Sequence, residues 1–286
     1  MEHYQLIRKL RRDRHLSQSF LAEGYTTRNA VTKFENRGTN ISVESLFWFL
    51  EKMNVTLEEY YFIFNNGQIT DKKQIIIEGY QHLNTPENLA IYLKKLQQLE
   101  WASSDPFYSL IAAEFRSLFY WQQDRLDQDN FLNEDRHTVQ AYLDGIDNWG
   151  RFELSLFSNL LFLFDDDYII ATFKTTITKM KLYASQVYYQ GDVTGFLTNT
   201  LELFWQRRDY LAMDHVLTEL RKLTTTIEYC SGRIACKIFE KIIKHKDEIQ
   251  LIDLKPELVI LEYLDYSGEA KEYRQILEKV NSANVV

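Results

Sequence analysis

The stretch Leu16-Ser17-Gln18-Ser19-Phe20-Leu21-Ala22-Glu23-Gly24-Tyr25-Thr26-Thr27-Arg28-Asn29-Ala30-Val31-Thr32-Lys33-Phe34-Glu35 decides how this chain folds. It reads as two short helices joined by the tight turn Glu23-Gly24-Tyr25-Thr26. Ser17 and Thr27 stand just before apolar-periodic runs, where a side-chain oxygen caps a helix N-terminus. Two helices joined so closely form an angular corner. Phe20 and Leu21 are expected to face inward from the first helix, and Val31 and Phe34 from the second. Arg28, Asn29, Thr32 and Lys33 then share the outer face of the second helix.

Those four residue types suit the base edges of a DNA major groove. Arg reads guanine in bidentate fashion, Asn reads adenine, and Thr bonds a base or touches a thymine methyl. Thr27 opens the same helix and is expected to contact DNA with them. Gln18, at the start of the preceding helix, is placed for a phosphate contact, and Lys33 and Arg37 add cationic ones. Glu35 is expected to be structural, paired with one of Arg8, Arg11 or Arg12. A small helical bundle with a solvated polar face is the plainer reading of the same residues.

Working outward, the first unit runs from Met1 to about Phe64 as five helices: Glu2–Arg14, Ser17–Ala22, Thr27–Asn36, Val43–Met53 and Leu57–Phe64. Ser42 and Thr56 are two further caps, and Gly38 is a C-terminal stop. Over residues 1–42, eight cations (Arg8, Lys9, Arg11, Arg12, Arg14, Arg28, Lys33, Arg37) face four acids (Glu2, Asp13, Glu23, Glu35), a net +4. The whole chain carries −8, so the remainder carries −12. A basic head on an acidic body can hold a phosphate backbone while the body stays off it.

The polar turn Asn65-Asn66-Gly67-Gln68 marks a linker. The expected domains are 1–65, a linker at 66–70, and 71–286. Beyond the linker about ten helical segments follow. Breaks are expected near Asn84–Pro86, Ser103–Pro106, Gln128–Phe131, Asn148–Gly150, Asp165–Asp167, Gln190–Asp192, Arg207–Asp209, Tyr229–Gly232 and Ser267–Glu269. Three prolines in 286 residues leave room for long helices. Tyr189-Gln190-Gly191-Asp192 and Tyr266-Ser267-Gly268-Glu269 are alike, which suggests a degenerate helix-pair repeat. Stacked pairs form a solenoid whose concave face suits an extended ligand. The fold class is therefore all-α.

Leu10-Arg11, Ser17-Gln18, Leu21-Ala22, Thr32-Lys33-Phe34-Glu35 and Ile41-Ser42 resemble the lambda-repressor-like (XRE-type) helix-turn-helix. Together with the segment Leu46 to Glu59 and Trp149-Gly150-Arg151-Phe152-Glu153-Leu154, the chain resembles the Rgg/GadR/MutR regulators of Gram-positive bacteria. The interval from Gln18 to Glu35 is one residue shorter than in many members of the wider superfamily, which bears on the docking angle of the recognition helix. The resemblance implies a homodimer, a C-terminal array of tetratricopeptide-like helix pairs, and regulation by a short peptide pheromone. It implies base reading by Arg28, Asn29, Thr32 and Lys33, and a phosphate contact by Gln18. For the peptide groove we expect Arg151, Asn159, Tyr189 and Asn199. Arg151 would hold a carboxylate, and the Asn side chains would bond an extended backbone.

Other functions find less support. No Gly-rich phosphate loop, Gly-x-Ser-x-Gly or His-Glu-x-x-His occurs. Cys230 and Cys236 lack metal-site spacing and read as reduced thiols. Asp165-Asp166-Asp167 does not match a calcium loop and reads as a polar turn. Neither cofactor nor metal is expected. No signal peptide or membrane span is apparent, so the expected location is the cytoplasm. Two readings remain: a ligand-controlled regulator on palindromic double-stranded DNA, or a helical-repeat scaffold that docks protein.

Overall fold

Four side-chain caps set the N-terminal helices. Ser17 Oγ accepts the Phe20 N–H at 3.0 Å, and Thr27 Oγ1 accepts that of Ala30 at 3.2 Å. Ser42 Oγ accepts from Ser45 at 3.2 Å, and Thr56 Oγ1 from Glu59 at 3.1 Å. In the last case the Glu59 carboxylate returns the bond to the Thr56 N–H, a reciprocal box. The helices that result are α1 (His3–Asp13), α2 (Gln18–Ala22), α3 (Arg28–Arg37), α4 (Val43–Lys52) and α5 (Leu57–Phe64). Gly38 ends α3 at φ 63°, and a Cβ there would lie 3.0 Å from the Tyr4 ring. Only glycine meets both conditions without strain.

The computed structural model describes residues 1–123, 125, 130–180 and 187–282; at 130, 131, 177–180 and 187–190 it describes the backbone alone. The described residues contain sixteen α-helices and no strand. They form two compact units, residues 1–81 and 82–286. The linker expected at 66–70 begins as a turn, with Asn66 and Gly67 at positive φ. The next helix, α6 (Asp71–Gln81), groups with the N-terminal unit, so the division falls after Gln81 and not at the polar turn. Polarity marks where a chain turns; where two cores separate depends on contacts.

Leu6, Ile7, Leu21, Val31, Phe49 and Met53 fill the first core. Phe20 does not join them, contrary to expectation. It is 39% exposed, with the Lys52 ammonium 5.1 Å from its ring centroid. The helix α2 has five residues, and Leu21 and Ala22 take its inward positions. Phe20 is rotated about 100° from its neighbour Leu21 at 3.6 residues per turn, and so lies off that face.

The second unit contains α7 (Pro86–Ser103), α8 (Phe107–Gln122), α9 (Asn130–Asp144), α10 (Arg151–Asn159), α11 (Asp166–Met180), α12 (Val187–Arg207), α13 (Tyr210–Leu223), α14 (Cys230–His245), α15 (Leu251–Tyr263) and α16 (Ser267–Ser282). Most expected breaks are found, including Thr85-Pro86, where Thr85 caps α7 with proline in its first turn. The break near Gln128–Phe131 lies largely outside the described residues. The break at Gln190–Asp192 is absent, because Gly191 and Asp192 lie inside α12. Gly191 has open space around it, and one glycine costs a helix about 1 kcal/mol, which packing on both sides of α12 offsets. A break at Lys246–Gln250, unmarked by glycine or proline, separates α14 from α15.

The even-numbered helices touch one another: α8 meets α10, α10 meets α12, and α12 meets α14 and α16. Odd-numbered helices flank them, as α7 does α8 and α13 does both α12 and α14. In a curved stack, the layer whose helices approach each other more closely is the inner one. Phe157, Phe196, Phe204, Trp205 and Phe239 fill the space between layers.

One close approach fixes the seat of α14 on α12. A Cβ on Gly232 would lie 2.6 Å from Thr224 Cγ2 and 2.7 Å from Thr194 Cγ2. Thr224 cannot turn away freely, because its hydroxyl donates to Leu220 O at 2.9 Å. Gly232→Ala should therefore destabilise the C-terminal unit by about 1–3 kcal/mol, although alanine is the better helix former. Urea midpoints of wild type and variant test this, and an unchanged or raised midpoint would show that the contact relaxes.

Candidate nucleic-acid interface and ligand groove

The corner formed by α2 and α3 is braced from α1. Arg11 Nε donates to Glu35 Oε1 at 2.6 Å and Arg11 Nη2 to Oε2 at 2.7 Å. Arg11 Nη1 donates to Leu16 O at 2.6 Å, which ties the pair to the start of the corner. Glu35 is 1% exposed and Arg11 8%, so this is a buried, bidentate pair. The hydrogen bond to Glu35 raises the guanidinium above its usual range. Of the three arginines expected as partners of Glu35, Arg11 is the one.

The chain of contacts continues outward. Gln18 Nε2 donates to Glu35 Oε2 at 2.8 Å, and Thr32 Oγ1 donates to Gln18 Oε1 at 2.8 Å. Thus α1, α2 and α3 are joined by Arg11, Glu35, Gln18 and Thr32. The sequence suggested a phosphate contact for Gln18; within the protein its amide is also a strut, with one Nε2–H given to Glu35 and Oε1 accepting from Thr32, which leaves the second Nε2–H outside these two bonds. Val31 and Phe34 are buried, and Phe34 packs on Phe49 of α4. This packing turns the opposite side of α3 outward. Arg28, Asn29, Lys33 and Arg37 are exposed along it, Thr32 is half-buried beside them, and Thr27 is used as the cap.

In the second unit the expected groove residues fall on two neighbouring helices. Arg151 of α10 pairs with Asp192 of α12, and Arg151 Nη2 lies 3.1 Å from Asp192 Oδ1. Asn199 Nδ2 of α12 donates to Ser158 Oγ of α10 at 3.0 Å. Both pairs have the same offset of 41 residues, so the two helices run parallel. Arg207 and Asp166 repeat that offset between α12 and the start of α11. Asn159, next to Ser158, turns the other way and donates to Glu114 Oε1 of α8 at 2.7 Å. A polar row thus crosses α8, α10 and α12 on the inner layer. The side chain of Tyr189 lies outside the described residues.

Sequence reasoning missed Glu114, Ser158 and Asp192 as members of this row. Asp192 was read only as a turn acid. The recurring offset of 41 was a usable signal, since parallel helices of successive repeats bring such positions side by side. Asp165 does what a polar turn does, accepting the Tyr168 N–H at 2.8 Å at the start of α11. Cys230 is half-buried and Cys236 buried, both as free thiols. Among the described residues no helix is long and apolar enough to cross a membrane.

The family model of the C-terminal domain of the HTH-type transcriptional regulator Rgg matches residues 93–275. The chain belongs to the Rgg family. This Rgg-family protein is therefore a transcriptional regulator and not an enzyme. Its fold is shared by a candidate transcriptional regulator from Listeria monocytogenes EGD-e, at 17% identity and a TM-score of 0.81, covering 99% of this chain and 98% of that one. The SHP pheromone receptor Rgg2 of Streptococcus dysgalactiae matches at 16% identity and a TM-score of 0.74, covering 97% of this chain and 99% of the receptor. PrgX in its complex with cCF10 matches at 14% identity and a TM-score of 0.73, covering 96% of this chain and 98% of that one. No curated protein matches the sequence. At such identities the structural likenesses show that this Rgg-family chain is a helix-turn-helix followed by a helical-repeat domain, as the sequence suggested.

Proposed function

We propose that this protein binds palindromic double-stranded DNA as a homodimer through α3, and that a short peptide bound on the inner layer of the repeat domain controls it. The observation that carries the DNA reading is the exposed row Arg28, Asn29, Lys33 and Arg37, held on a corner braced by a buried ion pair. Arg28 and Asn29 present bidentate hydrogen-bonding groups to base edges, and Lys33 and Arg37 neutralise phosphates. Two copies related by a two-fold axis place two such helices on two half-sites. The protein acts inside the cell, where its DNA is.

The peptide reading is supported by the pheromone receptor Rgg2 and by PrgX, which has been captured with cCF10. It is also supported by the polar row on α8, α10 and α12. An extended peptide exposes unpaired N–H and C=O groups along its length, which Asn159 and Asn199 can satisfy. Its carboxylate would compete with Asp192 for Arg151, whose guanidinium offers a two-pronged fork. Tyr189, in the first turn of α12, is kept as a further candidate on its residue type. Peptide binding that favours one arrangement of the inner layer would shift the pair of DNA-reading helices, since a ligand moves an equilibrium only by binding one state better.

Fluorescence anisotropy on DNA upstream of the protein's own gene tests the first half. Wild type should bind with an affinity that falls steeply with salt. The double variant Arg28→Ala, Lys33→Ala should lose about a hundredfold, from one base reader and one phosphate contact together. Equal binding by wild type and variant at low and at moderate salt would move the head to the protein-docking reading.

A further inference from the structure

Thr32 has one hydroxyl hydrogen, and two acceptors compete for it: Gln18 Oε1 at 2.8 Å and Arg28 O at 2.8 Å. Gln18 is itself held by Glu35, and Glu35 by Arg11 in a buried pair. The hydroxyl cannot be redirected toward a base without loosening the brace that seats α3. Its oxygen is engaged with α2 and with its own helix, which leaves the methyl as the heavy atom on Cβ without a hydrogen-bonding role. Thr32 is half-buried, whereas Arg28, Asn29 and Lys33 around it are exposed. It therefore meets a base edge as a short apolar surface between longer polar side chains.

We infer that Thr32 makes the DNA site specific for thymine through its methyl group, with its hydroxyl reserved for the brace to Gln18. This rests on the reading of α3 as the DNA-contacting helix and says what one position of that helix recognises. Thymine alone among the four bases presents a methyl in the major groove. A threonine with a free hydroxyl would discriminate poorly, since it can donate to one base and accept from another. The brace occupies the hydroxyl's only hydrogen, so the oxygen can still accept but can no longer donate to guanine, adenine N7 or thymine O4. The contact is worth about one buried methyl group, so losing it should weaken binding roughly fourfold at each half-site.

The test uses the full-length protein and a randomised duplex pool. Wild type selects its preferred duplex, and each thymidine of that duplex is then replaced singly by deoxyuridine, which lacks only the methyl. For wild type, one thymidine per half-site should show the roughly fourfold loss. Thr32→Val keeps the methyl and removes the hydroxyl; it should keep the same deoxyuridine penalty at the same position, even if overall affinity falls. Thr32→Ser removes the methyl and keeps the hydroxyl; it should make that replacement silent. A penalty that persists in Thr32→Ser, or disappears in Thr32→Val, would overturn the inference while leaving DNA binding intact. If wild type selects no duplex, the DNA reading fails and this inference fails with it.

Discussion

Glu35→Ala is expected to unfold the N-terminal unit at temperatures where wild type is folded. The substitution leaves the Arg11 guanidinium buried without its carboxylate and removes the Nε2 acceptor of Gln18. Stranding one partner of a buried ion pair costs about 3–5 kcal/mol. A domain of ordinary stability has only about 5–15 kcal/mol in total, so a large part of its margin would be gone. The double variant Arg11→Met, Glu35→Leu should recover most of that loss, because an apolar pair of similar volume needs no charge compensation. Urea unfolding of the three proteins, followed by the fluorescence of Trp48 in a background without other tryptophans, measures this. A single variant as stable as wild type would mean that the brace contributes geometry without stability.

The second large effect is in the C-terminal unit and depends on pH. Burial pushes the Glu114 carboxyl up to about 7 from its ordinary 4.5, and the hydrogen bond from Asn159 opposes the shift only in part. The folded state thus holds a proton that the unfolded chain releases. The sign follows from linkage: the stabilising contribution is complete below about pH 4.5 and is lost as pH rises through 7. Wild type should be less stable at pH 8 than at pH 5, by roughly 3 kcal/mol from this group. Glu202, pushed up to about 8 by burial and by the nearby Glu272, acts in the same direction. Glu114→Gln keeps a carbonyl oxygen for Asn159 and has nothing to ionise, so its stability should vary less with pH than that of wild type. Urea midpoints at both pH values would decide it; an identical pH response in wild type and Glu114→Gln would remove Glu114 as the cause.

The polar row and the helix-turn-helix corner were legible to different degrees. In the corner, capping residues and apolar spacing lie within one or two turns of each other, and such local rules gave α1 to α5 nearly residue for residue. The exposed faces of Arg28, Asn29 and Lys33 follow from the same spacing, since burying Val31 and Phe34 turns those positions outward. In the polar row, Arg151, Asn159 and Asn199 were picked out by residue type, while their partners Asp192, Glu114 and Ser158 were not. Those partners lie 41 or 45 residues away along the chain.

The sequence by itself determined the helical class, the capped corner near the N-terminus, the basic head on an acidic body and the resemblance to the Rgg regulators. Each of these depends on neighbours in the chain or on composition. Only the tertiary structure decided that Gln18 braces the corner, that Phe20 stays at the surface, that α12 runs through Gly191, and that α6 groups with the head. It also chose Arg11 over Arg8 and Arg12 for Glu35. These outcomes depend on which side chains meet across helices packed from distant parts of the chain. There, burial and competition for hydrogen-bond partners outweigh the local preferences that a sequence displays.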